Sequence, residues 1–113
     1  MGRKKTTDKE KAVARHNRAL KALDKAARAY AARETATDVW IKATDRAYKA
    51  ADACYDYAVG CEYLDAVGAV IGRLADYQAA YEAARAAARA EEMRDIKAAQ
   101  RATASHMDWI YQR

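Results

Sequence analysis

The sequence predicts an all-α fold: an antiparallel bundle of three to four long, alanine-rich helices making one domain over residues 1–113. Alanine supplies 31 of the 113 residues, and it is the best helix former because it loses no side-chain entropy and hides no polar group. Helix breakers are scarce, with no proline and four glycines, one of them Gly2. Apolar residues recur every three to four positions along most of the chain, the period of a helix with one buried face.

Residues 1–6 form a basic tail that is expected to fray. Thr7 opens the first helix, because Thr7-Asp8-Lys9-Glu10 has the form of a capping box. This helix is predicted over 8–33. Val13, His16, Leu20, Leu23, Ala27 and Tyr30 share one face, and Lys11, Arg15, Arg18, Lys21, Lys25 and Arg28 share the opposite one. A second start signal follows at Glu34-Thr35-Ala36-Thr37-Asp38, where Thr35 or Thr37 can cap and Asp38 suits the positive helix end. The apolar phase runs on through Ile41, Thr44 and Tyr48, so one bent helix is the alternative to two.

The second helix is predicted over 36–59. Its small-residue face comprises Trp40, Ala43, Thr44, Ala47, Ala51, Cys54 and Ala58, opposite a row of alternating Asp and Lys. Gly60 is the expected helix end, since glycine readily takes the left-handed conformation of a C-terminal cap. A third helix over 61–91 carries the expected core. Six of the thirteen Leu, Ile and Val residues fall in 55–81: Val59, Leu64, Val67, Val70, Ile71 and Leu74. Gly68 and Gly72 are expected to let another helix pack closely, because each glycine costs about 1 kcal/mol against alanine in a helix and needs a reason. Glu82, Arg85, Arg89 and Glu92 then interrupt the buried stripe, and a fourth helix over 93–111 restores it with Met93, Ile96, Thr103, Met107 and Ile110.

Such a core is thin. At about 1.5–3 kcal/mol per fully buried large side chain, it opposes an ordering cost of roughly 1–2 kcal/mol per residue. Self-association or a partner is therefore expected.

Catalytic and metal chemistry find little support. A nucleophile needs a neighbouring base, and the chain offers only His16, on an apolar helix face, and His106, near a possible cap. Two cysteines seven positions apart and two distant histidines do not match zinc spacing. Neither histidine follows a glutamate by three residues, as helical di-iron sites require, and no glycine-rich phosphate loop occurs. Cys54 and Cys61 would lie about 10 Å apart along one helix, too far for a disulfide, and read as small buried thiols. No enzyme activity, metal or cofactor is expected.

Charge is distributed unevenly: residues 1–33 carry net +8, residues 34–82 net −5 and residues 83–113 net +2. The basic face of the first helix, Lys11, Arg15, Arg18, Lys21, Lys25 and Arg28, suits phosphates, an acidic protein surface or plain solvation. It lacks a recognition helix or a leucine zipper to support nucleic-acid binding. No apolar run is long enough for a membrane span, and MGRKK leads into polar residues rather than a signal peptide, so a cytoplasmic protein is expected.

The size is similar to that of paired-helix secreted proteins with a Trp-x-Gly turn, but the corresponding turn here reads Val59-Gly60-Cys61. In general character the chain looks like the small helical proteins that phages and mobile elements encode to bind and inhibit host machinery. That likeness implies a protein partner, and a non-enzymatic protein-binding module is the leading expectation. Its candidate hot spots are Tyr57, Tyr63 and Trp109, with Arg46 beside Tyr57, because these aromatics fall off the buried stripes. A homodimer is a further expectation, nucleic-acid binding through the first helix is the alternative, and no membrane is involved.

Overall fold

The computed structural model describes the backbone of residues 7–111 and the side chains of 7–107; the basic segment 1–6 and the Trp109 side chain lie outside the described residues. Within them the protein is all helical. The elements are α1 (Asp8–Ala31), α2 (Thr37–Asp52), a short 3-10 turn (Tyr55–Tyr57) and α3 (Glu62–Tyr111). Two compact units divide the chain, the first ending at Ala79 and the second starting at Ala80.

In the first unit, α1 starts where the sequence places it. Thr7 Oγ1 accepts from the Glu10 N–H at 3.1 Å, satisfying one of the free donors of the first turn. The helix stops without a glycine. Glu34 N–H donates to the Ala29 carbonyl at 2.9 Å and Arg33 N–H to Tyr30 at 3.1 Å, while Arg33 takes φ 58. This is the paired-bond helix end that glycine usually serves, here borne by an arginine. α1 and α2 are therefore separate helices, and the single bent helix is excluded. Neither expected threonine caps α2: its N-cap is Ala36, with no side-chain bond. Thr37 Oγ1 lies 3.4 Å from Tyr30 Oη instead.

α2 ends earlier than expected, at Asp52 rather than near 59. The chain tightens into i to i−3 hydrogen bonds, Cys54 to Ala51 at 3.0 Å and Tyr57 to Cys54 at 3.0 Å. Ala50, Ala51 and Cys54 are all buried at this bend. Gly60 does take the left-handed conformation, φ 98, but it turns the link into α3 rather than capping α2. Cys54 and Cys61 consequently do not share a helix; Cys54 is buried and Cys61 is exposed. The start of α3 carries Glu62 and Asp65, whose charges suit the positive helix end.

Two contacts show how the helices run. His16 meets Tyr63 edge-on at 5.1 Å, and further along both helices Asp24 meets Tyr77, so α1 and α3 ascend together. Tyr30, near the end of α1, stacks at 6.0 Å on Trp40, near the start of α2, so α2 descends. The core between them is Leu23 from α1, Ala47 and Ala51 from α2, and Val67 and Val70 from α3. Around it pack Leu20, Trp40, Ala43, Tyr63 and Ile71, each partly buried. The 55–81 stretch thus supplies less of the core than its composition predicts. Val59 is 91% exposed and Leu64 39%. The expected glycine contact is absent too: a Cβ placed at Gly68 or Gly72 meets nothing within 4 Å.

The second unit is the C-terminal part of α3. No break separates the predicted third and fourth helices, because α3 continues through 91–93 to Tyr111. The Arg85 guanidinium sits 5.8 Å from the centre of the Tyr81 ring. The apolar stripe is solvent-facing within this unit, with Met93, Ile96 and Met107 all exposed. Among the described residues, no helix is long and apolar enough to cross a membrane.

Candidate functional site

An open groove of about 690 Å³ lies between α1 and α2. Its floor follows from helical spacing. Ala19, Ala22, Ala26 and Ala29 recur at intervals of three and four on α1, and Val39, Ala43 and Ala50 line the facing strip of α2. Side chains at such intervals share one helix face. Because all but Val39 are alanines, the two helix backbones stay close and the floor is a bed of methyl groups.

Cations edge this floor on both sides: Arg15, Arg18 and Lys25 from α1, Lys42 and Arg46 from α2. Among the described residues no acid lines it. Lys42 approaches Asp38 at 4.0 Å, an exposed pair one turn apart, worth about 0.2–0.5 kcal/mol at most. Among the described residues Arg15, Arg18, Lys25 and Arg46 have no ion-pair partner. At the helix link, the Thr35 hydroxyl is shielded from water and has no hydrogen-bond partner.

The six basic residues predicted on α1 are therefore divided by the fold. Arg15, Arg18 and Lys25 enter the groove. Lys11 and Lys21 are exposed outside its lining. Arg28 turns away from the groove: its Nε lies 3.1 Å from Asp24 Oδ2, one turn back on α1, and its guanidinium 4.7 Å from the centre of the Tyr77 ring of α3.

The predicted protein-contact residues are separated as well. Arg46 lines the groove. Tyr57 is half-buried in the 3-10 turn. Tyr63 is half-buried against His16, and burial, followed by the nearby Glu62 charge, pushes its hydroxyl pKa up. Trp109 lies outside the described residues. Sequence reasoning set Lys42 on the alternating charged face of the second helix and Ala43 on its small-residue face, and missed the rest of the alanine floor. The usable signal was the repeat of alanines at three and four on α1, facing Val39, Ala43 and Ala50 across a short link.

Reactive groups do not converge on the groove. His16 is buried in the core with its Nδ1 unpartnered, and burial lowers its pKa. Burial also raises the Cys54 thiol pKa, which disfavours the reactive thiolate. No group of three or more His, Cys, Asp or Glu among the described residues could hold a metal ion. The groove can present positive charge around an apolar strip, and among the described residues no His, Cys, Asp or Glu lines it. No protein-family model matches the chain, and comparisons with curated proteins and with solved structures return no significant match.

Proposed function

We propose that the chain is a non-enzymatic protein-binding module, a small regulator or inhibitor that acts by docking a partner in the α1–α2 groove. One observation carries this reading: five cations, four of them unpaired among the described residues, surround a floor of methyl groups and no acid. An apolar strip bordered by charge is the make-up of a protein contact, where apolar area supplies affinity and the charges select the partner. The groove replaces Tyr57 and Tyr63 as the leading contact surface, since both are half-buried around the α2–α3 link.

Nucleic-acid binding is the second reading, favoured by Arg15, Arg18, Lys25, Lys42 and Arg46 standing together on one face. The floor argues against it. Single strands stack their bases on aromatic rings, and among the described residues the lining contains none.

A photo-crosslinking residue at Ala22 or Ala43, expressed in the natural host, distinguishes the two. The expected product is one predominant protein adduct that disappears when Arg18→Glu and Arg46→Glu are introduced together, and that a crosslinker at exposed Ala75 does not form. Adducts dominated by nucleic acid would replace this reading with the second one.

A further inference from the structure

We infer that the occupant of the groove is an acidic amphipathic helix of about three to four turns. This deepens, and rests on, the protein-binding reading. The first argument is shape. The α1 row 19–29 and the α2 row 39–50 lie side by side at intervals of three and four. Two such seams make a trough that accepts the ridge of a third helix. Alanine methyls on the floor let that helix approach to the short end of the interaxial range, about 8 Å.

Length follows from the rise per residue. Residues 15–29 of α1 and 39–50 of α2 run beside the groove, and at 1.5 Å per residue these spans are about 21 Å and 17 Å. A helix of roughly 11–14 residues matches them.

Extended peptides fit poorly, for a reason that lies in the walls. Both are helix interiors whose N–H and C=O groups already bond within the helix, so no edge is open for strand addition. Polyproline recognition needs aromatic rings in the groove, and its lining has none. Charge fixes the remaining chemistry. Arg15, Arg18 and Lys25 stand on one side and Lys42 and Arg46 on the other, so the ligand carries Asp or Glu on both flanks of an apolar ridge spaced i, i+3 or i+4, i+7. A basic helix would place like charges against both walls, which suppresses binding.

A displayed library of random 16-residue peptides, selected on the purified full-length chain, tests this without presupposing a partner. The enriched peptides are expected to share an apolar i, i+3 or i+4, i+7 ridge with acidic flanks and to gain helical circular dichroism on binding. Their affinity should fall by about tenfold or more on Arg18→Glu/Arg46→Glu, and also as salt rises. Ala22→Arg, which keeps the charge positive but fills the floor, should weaken them as well. All three positions are exposed, and the melting temperature of each variant checks its fold. Enrichment of extended, proline-rich or basic peptides that still require the groove would overturn the acidic helix and leave the protein-binding reading standing. No enrichment, or peptides indifferent to both variants, would overturn the proposed occupant. Floor crosslinks to nucleic acid, in the host experiment above, would remove both.

Discussion

Tyr77 Oη donates a 2.6 Å hydrogen bond to Asp24 Oδ1, tying α3 to α1 across 53 positions of sequence. Asp24 also accepts from Arg28 Nε at 3.1 Å and lies 3.5 Å from Arg73 Nη1. The Tyr77 hydroxyl, ahead of the two guanidiniums, holds the Asp24 carboxyl below the usual carboxylate range, against a smaller opposing effect of burial. Tyr77→Phe removes the donor and keeps the ring. The expected cost is about 1 kcal/mol at neutral pH, or roughly 4 °C in melting temperature. Because the folded-state pKa is depressed, the stabilisation is present above the ordinary value of 3.8 and lost as pH falls through the lower folded value. Wild type and variant should therefore converge in strong acid, as thermal melts from pH 7 to pH 2 would show.

Gly68 and Gly72 sit inside α3 with open space where a Cβ would be. Replacing each with alanine should stabilise the chain by about 1 kcal/mol through helix propensity alone. A raised melting temperature is expected for either variant, and a higher one for the pair. A fall would mean that something packs against this stripe in solution.

His16 is 2% exposed, with an unpartnered Nδ1, and burial lowers its pKa from the ordinary 6.5. The unfolded chain then binds the proton more readily than the folded one. Stability contributed by the neutral ring is present above pH 6.5 and lost as pH falls toward the folded-state value. His16→Leu should flatten this limb in urea titrations at pH 7.5, 6.5 and 5.5. At pH 7.5 the variant should be about as stable as wild type, since exchanging an unsatisfied polar group for an apolar one leaves nothing new unpaired. An unchanged limb would assign the loss to another group.

The two thiols differ by placement. Cys61 is exposed and Cys54 buried, and burial raises the Cys54 pKa as well. A chromogenic disulfide reagent at pH 8 should titrate one thiol rapidly and the other only on unfolding. Cys61→Ser should abolish the fast phase and Cys54→Ser should leave it. Two fast thiols in the wild type would mean that the link 53–61 opens readily.

Much of the local structure was legible because its causes are local. Thr7 caps α1 because its hydroxyl reaches the Glu10 N–H three residues on. The Asp45–Lys49 pair forms at 2.9 Å because four residues make about one turn. The small face of α2 was readable as well, with Ala47 and Ala51 in the core as expected. Features that depend on a distant neighbour were misread. The glycine stripe has the pattern of a packing surface, yet among the described residues nothing comes within 4 Å of a Cβ placed there. Val59 looked like core and is 91% exposed, because α2 ends at Asp52 and the link carries Val59 outward.

The sequence by itself determined that the chain is helical and where its first helix begins, since alanine propensity and a threonine cap act within a few residues. Only the tertiary structure decided which of the alanines off the predicted apolar faces are buried and which line a groove. A methyl group favours a helix equally on every face, so helix propensity offers no contrast between a buried alanine and one facing solvent. Pairing α1 with α2 across a short link buries Ala31 and Ala50 and leaves Ala22 on the floor of an open groove. The tertiary fold also sets the Arg28 guanidinium over the Tyr77 ring of α3 and leaves Arg15, Arg18 and Lys25 at the groove edge. Burial and contacts between helices are set by what the chain brings near from far along its length, and local propensity carries no record of that.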